Sequence, residues 1–157
     1  MKAQATLEME RIFTFTSPRE HYSADACIVW CLDDRFTELC EAFIKDRGFT
    51  RVDRVIVAGG AKSLASPEHE NDADRYFISD QVKKSLALHN PRRIILMTHS
   101  DCGAYGGKAK FGSDEGEIEI HRKELVAARE ALAAALDLRG IEVETVFADF
   151  EGLRVVL

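Results

Sequence analysis

The chain has 157 residues, of which 46% are hydrophobic, so its length suits one domain that buries its own core. A formal net charge of -6 and the absence of a run of Lys and Arg argue against a nucleic-acid partner. No stretch approaches the roughly 20 apolar residues of a membrane span, and Glu8, Glu10 and Arg11 interrupt the place where a signal peptide needs an apolar core. We therefore expect a single cytoplasmic domain over residues 1–157, with neither a nucleic-acid nor a membrane partner.

The first 24 residues carry mixed helix and strand signals. The segment from Ala5 to Phe15 ends at Ser17-Pro18. Two interpretations are open for residues 1–24: an arm that packs on a partner or on the edge of the domain, or a loosely ordered terminus.

Regular alternation begins near Ala26. An apolar strand is predicted over residues 27–33, and a second strand over 52–58 ends at Gly59-Gly60. Between them, helical spacing predicts one apolar face on a first helix that Gly48 ends. The side chains of that face are Phe36, Leu39, Cys40, Phe43 and Ile44.

A polar loop over residues 66–72 precedes a second helix, which Asn90-Pro91 ends. Its predicted inward side chains are Tyr76, Phe77, Val82 and Leu86. The most apolar run of the chain, residues 92–98, follows as a third strand.

A glycine-rich loop then extends to about Glu117, and a third helix extends from there to Gly140. Its predicted inward side chains are Leu125, Ala128, Leu132 and Leu136. Residues 141–148 and 153–157 read as two strands joined by a tight turn, which is an antiparallel hairpin.

This order of strands and helices predicts an α/β fold: three layers around a mainly parallel sheet with an antiparallel C-terminal edge strand. If the first strand lies between the second and the third, the loops after strands one and three diverge at a topological switch point. Ligands of open α/β sheets bind in that crevice, beyond the carboxyl ends of the strands.

Soft metal-ligand side chains stand at those two strand ends. Cys31 ends the first strand, and His99 and Cys102 follow the third. Cys27 lies four residues behind Cys31, roughly 13 Å along an extended strand, which is too far for both thiols to bind one ion. Cys40 falls on the apolar helix face, as buried free cysteines often do. Three protein ligands with one open position are the pattern of a catalytic zinc.

An acid and a base follow Cys31 at alternate positions. Asp33 could accept a hydrogen bond from water on the metal, and Arg35 could pair with Asp33 and fix its orientation. Asp33 could instead bind the metal itself and close the fourth position.

The pattern Cys31-x-Asp33-x-Arg35, followed by His99-x-x-Cys102-Gly103, resembles the paired signature of the β-class carbonic anhydrases. The resemblance extends from about residue 27 to the terminal hairpin. After the second strand only the step Ala58-Gly59 matches the turn that is usual in that family.

The resemblance implies a zinc enzyme that hydrates carbon dioxide reversibly to bicarbonate through a zinc-bound hydroxide, as a homodimer or a higher homo-oligomer. It implies that Cys31, His99 and Cys102 bind Zn²⁺ and that Asp33 and Arg35 form the catalytic dyad. The expected substrate contacts are Gly59, Gly60 and Gly103.

Other readings stay open. A relative with the same zinc core could hydrolyse carbon disulfide or carbonyl sulfide, and a closed site with Asp33 or His69 on the metal would not be catalytic. His69 could also be solvated or serve as a proton shuttle. A third class is cysteine catalysis, with Cys102 as nucleophile and His99 as base. His21, His89 and His121 receive no role.

Overall fold

The computed structural model describes residues 9–65 and 72–156. Within these two ranges five strands and four helices follow one another, and two of the connections contain short 3₁₀ turns. The elements are β1 (Ala26–Cys31), α1 (Thr37–Asp46), β2 (Val52–Val57), α2 (Lys62–Ala65), α3 (Asp72–His89), β3 (Arg93–His99), α4 (Asp114–Ala135), β4 (Glu142–Asp149) and β5 (Gly152–Val155).

The five strands form one sheet in the order β2-β1-β3-β4-β5. β1 pairs in parallel with β2 and β3, and β3 pairs in parallel with β4. β5 is antiparallel to β4 and forms the C-terminal edge. The predicted fold class is confirmed, and β1 does lie between β2 and β3.

Alternate residues of the central strands face opposite sides of the sheet, which produces the three layers. On one side, β1, β3 and β4 contribute Cys27, Val29, Ile94, Leu96 and Phe147 to a core closed by α2, α3 and α4. The central strands therefore read as continuous apolar runs, because both of their faces are covered.

On the other side of the sheet, the alternate strand residues that do not belong to the first core pack under α1. Trp30 and Met97 of the sheet meet Phe36, Cys40 and Ile44, which are all at most 7% exposed. The apolar face predicted for the first helix is therefore confirmed. Gly48 follows the helix with a φ of +69°, which suits a glycine that ends a helix.

The inward face predicted for the second helix is partly wrong. Tyr76 and Phe77 are 75% and 54% exposed, whereas Ile78 and Val82 are 2% and 0% exposed. The buried stripe of α3 includes small polar residues such as Ser85. Tyr76 and Phe77 fall on the outer side of that stripe, so the helical phase decides burial, and the apolar side chains alone did not reveal it.

The third helix begins earlier and ends earlier than predicted. α4 starts at Asp114, where the Ser113 hydroxyl accepts a hydrogen bond from the Gly116 amide at 3.0 Å. It ends at Ala135, since Leu136 is already extended. Leu125, Ala128 and Leu132 are fully buried, as predicted.

Residues 9–18 form neither helix nor strand, and all of them are exposed. The chain meets the domain a few residues later, where the Tyr22 hydroxyl donates to Asp53 at 2.7 Å. Among the helices that the structure describes, none combines the length and apolar character that crossing a bilayer requires.

Candidate metal centre

The ends of β1 and β3 lie side by side and bring three ligand side chains together. Cys31 is the last residue of β1 and His99 is the last residue of β3. Cys102 follows after Asp101, whose φ of +54° turns the chain back. The ligand atoms of Cys31, His99 and Cys102 all lie within 4.8 Å of one another.

The two thiols have the separation that a shared metal ion requires. Sγ of Cys31 and Sγ of Cys102 are 4.0 Å apart. Two sulfur ligands at tetrahedral angles and Zn–S bonds of about 2.3 Å stand about 3.8 Å apart. The Gly59 amide donates to Cys31 Sγ at 3.3 Å and orients that ligand.

The His99 ring is oriented with one nitrogen free for a metal. The ring is fully buried, and Nδ1 contacts the Ser100 carbonyl oxygen at 2.8 Å. A carbonyl only accepts, so Nδ1 carries the proton and Nε2 has the lone pair. Nε2 has no hydrogen-bond partner among the described residues. A buried lone pair beside two sulfur atoms fits a zinc ion.

The pKa values of the two thiols shift in opposite directions. The hydrogen bond from Cys102 lowers the pKa of Cys31, and contacts with His99 and with backbone amides lower it further. The contact with Cys31, together with burial, raises the pKa of Cys102. Cys102 is also only 1% exposed. A buried thiol with a raised pKa is a poor nucleophile, so this geometry disfavours cysteine catalysis by Cys102.

The other two cysteines are core residues, as expected from the sequence. Cys27 is fully buried and Cys40 is 3% exposed. Burial raises the pKa of Cys27 to about 11 and that of Cys40 to about 12.

Asp33 and Arg35 form a close pair at the rim of this cluster. Nε and Nη2 of Arg35 donate to the Asp33 carboxylate at 3.0 Å and 2.7 Å. These bonds lower the pKa of Asp33 to about 2. Asp33 Oδ2 lies 3.9 Å from His99 Nε2. The structure thus brings a fixed carboxylate next to the nitrogen that would bind the metal.

Arg35 has a second partner that the sequence analysis missed. Its Nη1 donates to Asp101 Oδ2 and its Nη2 to the Asp101 carbonyl oxygen, both at 3.1 Å. The guanidinium is therefore held between Asp33 and the loop of residues 99–102, called the metal loop because it carries His99 and Cys102. Asp101 lies inside the His99-x-x-Cys102 motif, but nothing local to the sequence reveals its distant partner.

Two aromatic rings also border the cluster without having been predicted. The Phe36 ring lies 4.4 Å from that of His99, between ring centroids. The Phe150 ring lies 5.2 Å from that of Phe36 and 5.5 Å from the guanidinium carbon of Arg35. Phe150 is 60% exposed and Leu32 is 63% exposed, so the rim of the site is partly apolar.

The three glycines predicted to contact substrate differ in their surroundings. Gly59 and Gly60 have positive φ angles, and a Cβ on Gly60 would collide with the Met97 carbonyl oxygen. Packing at the end of β2 therefore requires Gly60. A Cβ on Gly103 would meet nothing within 4 Å. His69 lies outside the described residues.

A buried histidine also lies behind the metal loop. His121, which received no role from the sequence, is fully buried among Tyr105, Phe111 and Phe147. Burial lowers its pKa to about 4. It therefore stays neutral near pH 7.

The fold and the cluster together define an α/β protein with a Cys-His-Cys donor set beyond the carboxyl ends of two parallel strands. The profile of the family described as "Putative carbonic anhydrase" matches residues 22–149. The chain belongs to this family.

Two relatives carry no assigned function. An uncharacterized protein of Rickettsia bellii (strain RML369-C) is 26% identical over 113 residues, which cover 69% of this chain and 68% of that protein. An uncharacterized protein of Rickettsia conorii (strain ATCC VR-613 / Malish 7) is 27% identical over 116 residues. That match covers 69% of this chain and only 60% of the relative.

Solved structures show the same fold at low sequence identity. One of the tetrameric β-carbonic anhydrases of Sordaria macrospora superposes with a TM-score of 0.55 and 16% identity, covering 86% of this chain and 81% of that one. The apo form of a carbon disulfide hydrolase has a TM-score of 0.54 and 14% identity, covering 86% and 80%.

Proposed function

We propose that this protein is a zinc enzyme that hydrates carbon dioxide reversibly to bicarbonate and a proton. In the proposal Cys31, His99 and Cys102 hold Zn²⁺, and Asp33 and Arg35 form the catalytic dyad. The observation that carries it is the joint geometry: three donor atoms within 4.8 Å, and an Arg35-bound carboxylate 3.9 Å from His99 Nε2. Family membership supports the same reaction class.

Zinc bound there would act as a Lewis acid that makes a water nucleophilic near neutral pH. The protein's residues supply the rest. Cys31 and Cys102 bind as thiolates, and His99 binds through Nε2 while Nδ1–H stays on the Ser100 carbonyl. Asp33 accepts a hydrogen bond from the attacking water and aims its oxygen at the carbon of carbon dioxide. Arg35 keeps Asp33 ionised and fixed in orientation.

The surroundings suit a small substrate without charge. Phe150 and Leu32 are exposed apolar side chains near the Asp33–Arg35 pair, and apolar surface there favours carbon dioxide over water. In the proposal Gly59, Gly60 and Gly103 border the substrate. The open space beside Gly103 supports its proposed contact with the substrate.

Hydrolysis of carbon disulfide or carbonyl sulfide is the second candidate. The fold shared with a carbon disulfide hydrolase favours it, and so does the apolar rim, because carbon disulfide is also small, linear and apolar. A closed, non-catalytic zinc site needs Asp33 or His69 on the metal, and for Asp33 this means a movement away from its present position. Arg35 opposes that movement with hydrogen bonds to both carboxylate oxygens.

The deciding experiment is stopped-flow hydration of carbon dioxide at pH 8.5 by protein of confirmed zinc content. We expect a rate well above that of buffer and its loss when a chelator removes the metal. Release of sulfide from carbon disulfide, measured on the same sample, separates the second candidate. A loaded protein with neither activity contradicts an enzymatic role.

A pair of cysteine variants tests the metal ligands. Cys102→Ala removes one of three ligands, so the purified protein should contain far less than one zinc per chain by elemental analysis. Cys40→Ala changes another buried thiol, outside the cluster, and should keep one zinc per chain. Equal zinc content in both variants would contradict the proposed ligand set.

The proposal also covers the domain organisation, location and assembly of the protein. We propose a single cytoplasmic domain that assembles as a homodimer or a higher homo-oligomer. The exposed apolar side chains of Ile12, Phe13 and Phe15 support assembly, and so does the outer edge of β2, which pairs with no further strand among the described residues. The described neighbour from Sordaria macrospora is a tetramer.

A further inference from the structure

A buried carboxylate lies directly behind the metal loop. Glu117, in the first turns of α4, is only 2% exposed. One of its oxygens accepts from the Asp101 backbone amide at 2.7 Å, and the other accepts from the Ser100 hydroxyl at 2.6 Å. Both of these partners are neutral donors. A buried carboxylate is costly unless it is well hydrogen-bonded, so such a residue calls for a reason.

The peptide group between Ser100 and Asp101 joins this carboxylate to His99. Its N–H donates to Glu117 at 2.7 Å, and its C=O accepts from His99 Nδ1 at 2.8 Å. Hydrogen bonds in series polarise one another. The negative charge of Glu117 therefore makes the Ser100 carbonyl a stronger acceptor for the His99 ring.

Metal-binding histidines usually donate their second N–H to a carboxylate or a carbonyl, which fixes the tautomer and raises ligand basicity. In this protein both groups act in sequence: a carbonyl touches the ring, and a carboxylate acts on that carbonyl through the peptide. These two groups together keep the proton of the His99 ring on Nδ1. The lone pair then stays on Nε2, which faces the cluster.

Asp101, whose backbone amide Glu117 binds, also contacts the Asp33–Arg35 pair. Asp101 has a left-handed backbone (φ +54°), which is unfavourable for most side chains and tolerated by Asp. In this conformation its carbonyl and carboxylate both accept from Arg35. The hydrogen bonds that Glu117 accepts from Ser100 and Asp101 hold the turn in which Asp101 makes these contacts.

We propose that Glu117 is a positioning residue for the metal centre, acting on His99 through the Ser100–Asp101 peptide. This inference rests on the proposed role of His99 as a zinc ligand. Its effect on the His99 tautomer, however, exists with or without metal.

The test compares Glu117→Ala, Glu117→Gln and wild type. Alanine removes both acceptors, whereas glutamine keeps one oxygen for the Asp101 amide and loses the negative charge. Glu124→Gln is the matched control, because Glu124 lies on the same helix and accepts from the Tyr105 hydroxyl at 3.3 Å. Two quantities are measured: the ¹⁵N shifts of the His99 ring in the full zinc-free chain, and zinc affinity by competition with a chelating dye.

We expect the wild type and Glu124→Gln to show the Nδ1–H tautomer and the same zinc affinity. Glu117→Ala should show mixed tautomers and roughly 10- to 100-fold weaker zinc binding, the usual effect of losing such a partner. Glu117→Gln should fall between the two. If Glu117→Ala does not fold, the ring signals and zinc affinity of Glu117→Gln decide the test, because glutamine still accepts from the Asp101 amide.

Unchanged ring signals in the Glu117 variants overturn the inference, even if zinc affinity falls, because the residue would then only stabilise the fold. The ring signals also separate the two proposals. A wild-type protein that binds no zinc contradicts the proposed function, whereas a tautomer change in the same zinc-free samples still supports the role of Glu117.

Discussion

Asp33 and Asp34 are adjacent carboxylates in different surroundings. Asp33 accepts from the Arg35 side chain and backbone and lies beside His99 Nε2. Asp34 is exposed and accepts from the Thr37 hydroxyl at 3.1 Å. The neighbouring residue therefore offers a control with the same chemistry one position along the chain.

Asp33→Asn should keep zinc and lose at least roughly 100-fold in the hydration rate, the scale of general acid–base and orienting effects. The amide can still accept from the Arg35 backbone, so the turn should persist. Stopped-flow rates and zinc content are measured on Asp33→Asn, Asp34→Asn and wild type. Asp34→Asn should match the wild type. Full activity in Asp33→Asn would contradict the dyad.

At the scale of elements, a polar cluster ties the start of the domain to β2 and α3. Asp53 of this cluster pairs with Cys27 in the sheet, toward the opposite end of β1 from Cys31. Asp53 of β2 accepts from Tyr22 at 2.7 Å, from Ser85 at 2.6 Å and from His89 at 2.8 Å. Burial alone would raise the pKa of Asp53, but these hydrogen bonds outweigh it and lower that pKa below its ordinary value. The ring of Tyr22 also stacks on that of His89 at 4.1 Å.

A lowered pKa in the folded state means that the ionised carboxylate stabilises the fold above pH 3.8 and that this contribution is lost as pH falls below that value. Asp53→Asn should cost about 2 kcal/mol at neutral pH, since hydrogen bonds to a charged group are lost. The difference from wild type should shrink between pH 4 and pH 3.

Urea unfolding followed by the fluorescence of Trp30, the single tryptophan, measures this difference. Arg51 and Arg54, which lie near Tyr22, keep their charge over this pH range. A free-energy difference that stays constant from pH 7 to pH 3 would contradict the assignment to Asp53.

At the scale of the whole molecule, apolar surface remains uncovered. Ile12, Phe13 and Phe15 are 95%, 78% and 73% exposed, and Ile56 on the edge strand β2 is 49% exposed. Large apolar side chains that stay exposed in this number are candidates for an interaction site. The outer edge of β2 also has backbone groups that no strand of the described residues pairs with.

Sedimentation should therefore give a mass of at least two chains of 17.6 kDa each. The double variant Phe13→Asp/Phe15→Asp should lower the mass toward one chain, because buried charge would oppose the contact. Thr14→Asp adds a charge at the exposed position between them and should assemble normally. A wild type that sediments as one chain at micromolar concentration would contradict assembly.

Local sequence patterns determined the fold class and the side chains that stand at the strand ends. Apolar runs of strand length, separated by helical periodicity, specify an α/β sheet, because parallel strands buried on both faces need such runs. In such a sheet the strand ends share one edge. Cys31, Asp33 and Arg35 on one side and His99 and Cys102 on the other could thus be placed together from the sequence.

Tertiary packing alone decided the rest. Glu117 reaches the metal loop, and Arg35 reaches Asp101, only because α4 and the strand ends pack as they do. The exposure of Tyr76 and Phe77 likewise depends on which stripe of α3 faces the sheet. Spacing along the chain identifies side chains that share a strand end or a helix face, but contacts between elements depend on the angle and phase at which those elements pack.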